Sequence, residues 1–352
     1  MKQEIIDKIN RLASQDEPFL FVINYQGDKA FIRQLSDINP EECLFDFEGR
    51  GNSSDEMKNN SEKIAEISWQ IAPPLYEDYE RSFDIVKNNI MAGNSYLTNL
   101  TCKVPVSCNL SLEDIFNQAK GKYKLLLRRK RNLTPFVCFS PETFVRIKNG
   151  RIYSYPMKGT LDASLPDAEK QLMEDRKEAA EHATIVDLIR NDLSRVAENV
   201  RVDKYRYIDV LHTNKGDILQ TSSEISGRLP EDYRQHLGEI LDAQLPAGSI
   251  TGAPKDKTMQ IIHEAEGYDR GFYTGIMGIY DQGELNSAVM IRFVEEEASP
   301  SKTEKGKNPE VSRELYFKAG GGITSKSDCR KEYEEVIQKI YLPIQENPSS
   351  EY

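Results

Sequence analysis

With 352 residues, 38% of them hydrophobic and 29% charged, the chain can build one large core or two smaller ones. No apolar run approaches the roughly 18 residues of a membrane helix, and the opening Met-Lys-Gln-Glu-Ile-Ile-Asp-Lys lacks the apolar stretch of a secretion signal. Lys and Arg total 46 against 57 Asp and Glu, a net charge of -11 that argues against general nucleic-acid binding and leaves Arg128-Arg129-Lys130-Arg131 as a solvated basic edge.

The elements follow in chain order. Phe19-Leu-Phe-Val-Ile predicts a strand within residues 1–75, a region closed by Pro73-Pro74 and expected to add strands to the domain formed by 76–345. From Tyr76 the apolar spacing predicts an amphipathic helix ended by Gly93, then a strand over 95–104. Residues 144–148 and 151–155 flank Asn149-Gly150, the pattern of a hairpin with a type I′ turn. A long helix is predicted over 167–196, with Leu172, Ala179, Ala183, Val186 and Ile189 on one face. A second hairpin turns at Asp281-Gln-Gly-Glu between strands 272–280 and 285–294. The charged, Ser- and Lys-rich stretch 295–313 predicts a mobile loop, followed by a strand over 314–319, a Gly-rich turn and a closing helix through Tyr341. Antiparallel hairpins followed by helices, twice over, indicate an α+β chain. Neither Gly-x-Gly-x-x-Gly nor a Gly-Lys-Ser/Thr loop is present.

Cys43, Cys102, Cys108, Cys138 and Cys329 are odd in number with no Cys-x-x-Cys pair, which predicts reduced thiols in a cytoplasmic protein. The four histidines lack metal-ligand spacing. Two carboxylate pairs stand out: Glu178 and Glu181 on the long helix, Glu332 and Glu335 on the last. Each pair is three residues apart and so shares a helix face. Magnesium takes such hard oxygen ligands, though from spacing alone the ordinary reading is a solvated face. Gly320, Gly321 and Gly322 could let a ligand approach the backbone or could simply make a tight connection. Pro246-Ala-Gly-Ser-Ile-Thr-Gly-Ala-Pro-Lys255 fits either a carboxylate site at a helix start or a plain loop-to-helix junction. Lys158 and Glu142 lie near the open end of the Asn149-Gly150 hairpin. Strict register pairs Glu142 with Met157, so a bulge near Pro141 or Pro156 is needed before both can share a site. A partly buried lysine can act as a nucleophile, but a lysine beside glycine is ordinarily a surface cation.

Five motifs in order resemble the chorismate-utilising enzymes: Pro-Met-Lys-Gly-Thr (156–160), Ile-Val-Asp-Leu-Ile-Arg-Asn-Asp-Leu-Ser-Arg-Val (185–196), Leu-Pro-Ala-Gly-Ser-Ile-Thr-Gly-Ala-Pro-Lys (245–255), Ala-Gly-Gly-Gly-Ile (319–323) and Glu-Tyr-Glu-Glu-Val-Ile-Gln-Lys (332–339). The likeness spans roughly residues 80–342. It implies an α/β/β/α core of two packed antiparallel sheets, a deep site and an essential Mg2+. Within the family, a lysine at position 158 is the mark of the aminodeoxychorismate synthases, where anthranilate synthases carry alanine. The run Tyr96-Leu-Thr-Asn-Leu-Thr lacks the lysine base of the isochorismate and salicylate synthases.

The resemblance implies that Lys158 adds to C2 of chorismate as the C4 hydroxyl leaves, with Glu142 as the acid that protonates it. Ammonia then adds at C4 and expels the lysine. Glu181 and Glu335 are the implied main magnesium ligands, supported by Glu178 and Glu332. Arg292, Tyr273, Lys339 and the Gly320–Gly322 backbone match positions that hold substrate carboxylates, with Thr160 and Ser249 as further contacts. The expected activity is that of aminodeoxychorismate synthase component I, on the route to 4-aminobenzoate and folate. No Gly-x-Cys-x-Gly nucleophile is present, so ammonia would come free or from a separate glutamine amidotransferase subunit. Anthranilate synthase component I and a catalytically silent chorismate binder are the alternatives. Relatives carry histidine in the segment where Gln220-Thr-Ser-Ser stands, which keeps the silent binder open, and a Leu-Leu-Glu-Ser element of tryptophan control is missing from the first ~75 residues.

Overall fold

Runs of β-branched and aromatic residues set the strands of the computed structural model, which describes residues 1–53, 67–128, 133–213, 216–299 and 312–344. The chain divides into two units, each built on one antiparallel sheet. The first comprises residues 1–37, 143–255 and 270–289; the second comprises 38–142, 256–269 and 290–352.

In the first unit the strands run in the order Met157–Asp162, Gly216–Arg228, Arg151–Ser154, Thr143–Lys148, Glu284–Val289, Ile276–Asp281, Phe19–Ile23 and Ala30–Gln34. Glu198–Thr213 also pairs with Gly216–Arg228. Phe19–Ile23 is buried at every position, as a central strand covered on both faces must be. Helix Gln3–Ser14 places Ile5, Ile6, Ile9 and Leu12 inward, the 3–4 spacing of an amphipathic helix.

The second unit's sheet contains Leu97–Cys108, Ser312–Ile323, Phe293–Ser299, Phe136–Ser140, Tyr123–Leu127 and Cys43–Phe47 in that order. Its core gathers Phe83, Val86 and Ile90 from helix Tyr76–Met91 with Val104, Phe317 and Val336. Burying each such side chain contributes on the order of 2 kcal/mol. No helix among the described residues is long and apolar enough to cross a membrane.

Several elements depart from the sequence reading. The long helix is two, Ala168–Glu174 and Arg176–Leu193, because the Asp175 side chain accepts from the N–H groups of Lys177 and Glu178 and starts a new helix. The strand expected over 285–294 stops at Val289, and Phe293 begins a strand of the other sheet; Arg292 sits between them at φ 53°. The stretch expected as a loop over 295–313 is a strand ladder at both ends, pairing Glu295 with Tyr316 and Ser299 with Ser312; residues 300–311 lie outside the described residues. The glycines 320–322 are extended strand paired with Asn99–Thr101, not a turn. The long hairpin of 198–213 and 216–228 escapes the sequence reading, its alternation blurred by charged residues. Of the basic run, 129–131 lie outside the described residues, while Arg128 pairs with Glu113 at 2.7 Å.

Candidate active site

The first unit brings together Lys158, Glu178 and Glu181. Lys158 does not stay on the Asn149-Gly150 hairpin: that ladder ends at Tyr153 with Arg146. Pro156 has no N–H to extend it, and the strand Met157–Asp162 pairs instead with Gly216–Arg228, placing Lys158 opposite Thr221. The paired part of the Asn149-Gly150 hairpin, 146–148 with 151–153, shows no bulge of the kind expected near Pro141 or Pro156; the register shift beside Lys158 belongs to the other ladder, at Gly159, between Lys158 and Thr160. Gly159 has φ 81°, a left-handed conformation that glycine takes without strain, and a Cβ there would lie 3.0 Å from Glu178 Oε2.

Helix Arg176–Leu193 presents Glu181 to this bulge. Lys158 Nζ lies 2.9 Å from Glu181 Oε2, and Lys177 Nζ lies 3.6 Å from Glu181 Oε1. Burial, with Lys158 opposing and Glu181 adding to it, holds the Glu178 carboxyl above the usual carboxylate range. Thr160 is exposed and opposite Gln220 in the ladder. Ser249 stands on the short 3-10 turn Gly248–Ile250, and Tyr273 is buried in the turn after Arg270.

The second unit gathers Arg292, Gly320, Gly321, Glu332, Glu335 and Lys339. Helix Cys329–Gln338 is capped by Asp328 and carries Glu332 and Glu335 one turn apart. Lys339 Nζ is 2.7 Å from Glu335 Oε1 and donates to the Gly320 carbonyl at 3.0 Å. Arg292 donates to the Lys339 carbonyl at 3.3 Å and stacks over Tyr341. A Cβ on Gly321 would face Glu332 Oε2, Lys339 Nζ and Glu335 Oε1 at 3.6, 3.8 and 3.9 Å. Gly322, on the strand of Gly320 and Gly321, lies beside Leu97 of the neighbouring strand, whose Cδ1 a Cβ there would meet at 3.2 Å. Glu142 is half-buried just beyond strand Phe136–Ser140, its N–H donating to Ser140 Oγ.

Three groups were not singled out from the sequence. His182, directly after Glu181, is fully buried with Nε2 2.6 Å from Ser223 Oγ. Burial, with the nearby Arg206 charge, lowers its pKa to about 4, so the ring is neutral. Asp192 and Lys255 belong to two of the family-like motifs and pair with each other at 2.9 Å. Lys255 also donates to the Gln244 carbonyl. Their pairing ties the 245–255 segment to helix Arg176–Leu193, a structural task. The juxtaposition Glu181-His182 and the polar run Thr221-Ser222-Ser223 were the available signals for the first group.

The carboxylate pairs fit magnesium by donor chemistry. Each offers hard oxygens one turn apart on a helix, and in each one oxygen stands over a glycine. Among the described residues no three acidic, His or Cys side chains converge as a ligand cluster; the carboxylates come in twos, each with a lysine as present counter-charge.

The sequence pattern of the chorismate binding enzymes matches residues 19–345. The chain belongs to that family. It is 46% identical over 343 residues to an uncharacterized PabA-like protein of Haemophilus influenzae, covering 97% of each chain. It is 30% identical over 275 residues to aminodeoxychorismate synthase component 1 of Salmonella typhimurium, covering 75% of this chain and 56% of that one. Two solved structures share the fold. One is a putative 2,3-dihydroxybenzoate-specific isochorismate synthase, DhbC, from Bacillus anthracis (TM-score 0.69, 18% identity, 96% of this chain and 86% of that). The other is anthranilate synthase component I from Streptococcus pneumoniae (TM-score 0.61, 25% identity, 78% and 58%). Two antiparallel sheets with helices are thus the fold of this chain and of these enzymes.

Proposed function

We propose that the chain aminates chorismate at C4, giving 4-amino-4-deoxychorismate, with Lys158 as a covalent nucleophile. The observation that carries the reading is Lys158 itself, at a bulge that projects it to a half-buried Glu181 carboxylate. Attack needs the free amine. The Lys158 ammonium must therefore part from Glu181, or pass it a proton, before nitrogen bonds to C2 and the C4–O bond breaks. Glu142 is assigned the proton that leaves with the hydroxyl. Ammonia forms the new C4–N bond as the C2–N bond to Lys158 breaks, so the lysine is regenerated. Two displacements exchange oxygen for nitrogen with no change of oxidation level.

Magnesium, when bound, would neutralise the ring carboxylate of chorismate; Glu181 and Glu335, with Glu178 and Glu332 in support, are the residues assigned to hold it. Lys339, Arg292, Tyr273, Thr160, Ser249 and the Gly320–Gly322 backbone are assigned to the substrate's carboxylates and hydroxyl. Lys339 is suited to this because Glu335 and the Gly320 carbonyl hold its amino group in place. A separate glutamine amidotransferase subunit is the assigned ammonia source in the cell, and the cytoplasm the assigned location.

Mass spectrometry of products from chorismate, magnesium and ammonium tests this. Wild type is expected to yield aminodeoxychorismate, and Lys158→Ala to lose at least ~10³-fold, the scale on which removing a covalent nucleophile acts. Anthranilate as the product would replace the reading by anthranilate synthase component I. No turnover at all would leave a silent chorismate binder.

A further inference from the structure

Thr221, Ser222 and Ser223 lie in the interior of strand Gly216–Arg228 and are all fully excluded from solvent. Burying three hydroxyls in a row costs free energy that valine or isoleucine would not. Two of the three have partners at the Lys158 site. Thr221 Oγ1 donates to the Lys158 carbonyl, beside the ladder that pairs those two residues. Ser223 Oγ lies 2.6 Å from His182 Nε2 and accepts the Arg206 N–H at 3.0 Å. Arg206 is a non-glycine residue at φ 46°, within an irregularity of the neighbouring strand between Lys204 and Tyr207. A side chain held in that region is a cost retained where the surroundings impose it. Tyr205 closes over the imidazole edge-on, ring centres 5.8 Å apart.

A ring of contacts closes. It runs from Lys158 to Thr221 by the strand ladder, two residues along to Ser223, across to His182, back one residue to Glu181, and from Glu181 to Lys158 Nζ at 2.9 Å. The last link joins two flexible side chains that are partly exposed, an ion pair too weak to set a backbone position by itself. The buried imidazole–hydroxyl bond is rigid by comparison. His182 Nδ1 has no hydrogen-bond partner among the described residues, so Nε2 carries the ring's polar tie.

We propose that Ser223 and His182 are positioning residues that hold Glu181 at its place opposite Lys158. The inference rests on the roles given to Lys158 and Glu181 above. Supporting groups that orient a metal ligand are worth 10–100-fold in affinity or activity, and a buried ring nitrogen stripped of its partner shifts toward one elsewhere.

Calorimetric titration with magnesium chloride, alongside kcat and KM for chorismate, tests it in wild type, Ser223→Ala, Ser223→Thr and Glu181→Gln. Ser223→Ala is expected to weaken magnesium and lower kcat by roughly 10-fold each, with KM moving less than about 3-fold. Ser223→Thr, which keeps the hydroxyl, is expected to stay within about 3-fold of wild type on both readouts. The proposal is overturned if Ser223→Ala binds magnesium as wild type does while Glu181→Gln does not. It is also overturned if Ser223→Thr loses as much as Ser223→Ala, because packing and not the hydrogen bond would then be at work. If Glu181→Gln itself leaves magnesium binding unchanged, the ligand assignment fails first and takes the positioning role with it. Should Ser223→Ala not fold, His182→Gln, which retains an amide able to reach Ser223, and His182→Phe, which cannot bond to it, give the same contrast.

Discussion

The two units carry the same three parts assembled in opposite ways. In each, a helix presents two glutamates one turn apart, a glycine lies under one of their oxygens, and a lysine meets the second glutamate. In the second unit the lysine is local: Lys339 follows Glu335 by four residues, 2.7 Å away, and is anchored further by the Gly320 carbonyl. In the first unit it is tertiary: Lys158 comes from a strand and reaches Glu181, 23 positions along the sequence, only because a bulge at Gly159 turns it. A lysine bonded to a carboxylate and a carbonyl is a fixed cation, suited to holding an anion. The Lys158–Glu181 contact has no such local origin and is set by the register of a strand against a helix from another part of the chain. The difference teaches that the same lysine–glutamate contact can be set by one turn of helix or by strand register.

The comparison breaks most visibly in kinetics. Lys158→Ala should remove at least ~10³-fold of kcat/KM, chiefly through kcat, as loss of a nucleophile does. Lys339→Ala should cost about 10- to 100-fold, chiefly through KM, the scale of one charged hydrogen-bonding contact. Steady-state kinetics on both variants decides it; equal kcat losses would erase the distinction.

A smaller effect sharpens the glycine contrast. Gly159→Ala puts a side chain at φ 81° and within 3.0 Å of the Glu178 carboxylate, so thermal unfolding should show a loss of about 1–2 kcal/mol. Gly321→Ala meets only side-chain tips at 3.6 Å or more and is not in the left-handed region. Its stability should change by less than about 0.5 kcal/mol, and any damage should appear in magnesium or substrate binding instead.

A pH dependence is expected in the first unit's half of the comparison. His182 folds neutral with its pKa lowered to about 4 from an ordinary 6.5. Between those values the unfolded chain binds the extra proton, so stability rises with pH across that window. The contribution is fully present above pH ~6.5 and is lost as pH falls toward ~4. Denaturant midpoints from pH 7 to 4 should fall in wild type and fall less in His182→Gln; parallel curves would show that another group governs the window.

Much was legible in the chain because it is local. The Asn149-Gly150 turn, the helix over Tyr76–Met91 and the glutamate pairs at three-residue spacing follow from periodicity and turn chemistry that neighbouring residues determine among themselves. The motifs likewise led to the right family. The tertiary structure alone decided where Lys158 goes. Pro156 frees the strand from its hairpin, a distant strand supplies the ladder, and Gly159 absorbs the extra residue. It also decided that Asp192 and Lys255 neutralise each other in the interior, and that His182 is held by Ser223. Register and burial depend on which strands meet across hundreds of residues of chain, and one residue of slip exchanges the two faces of a strand. That information is carried by the whole set of contacts and by no single stretch of sequence.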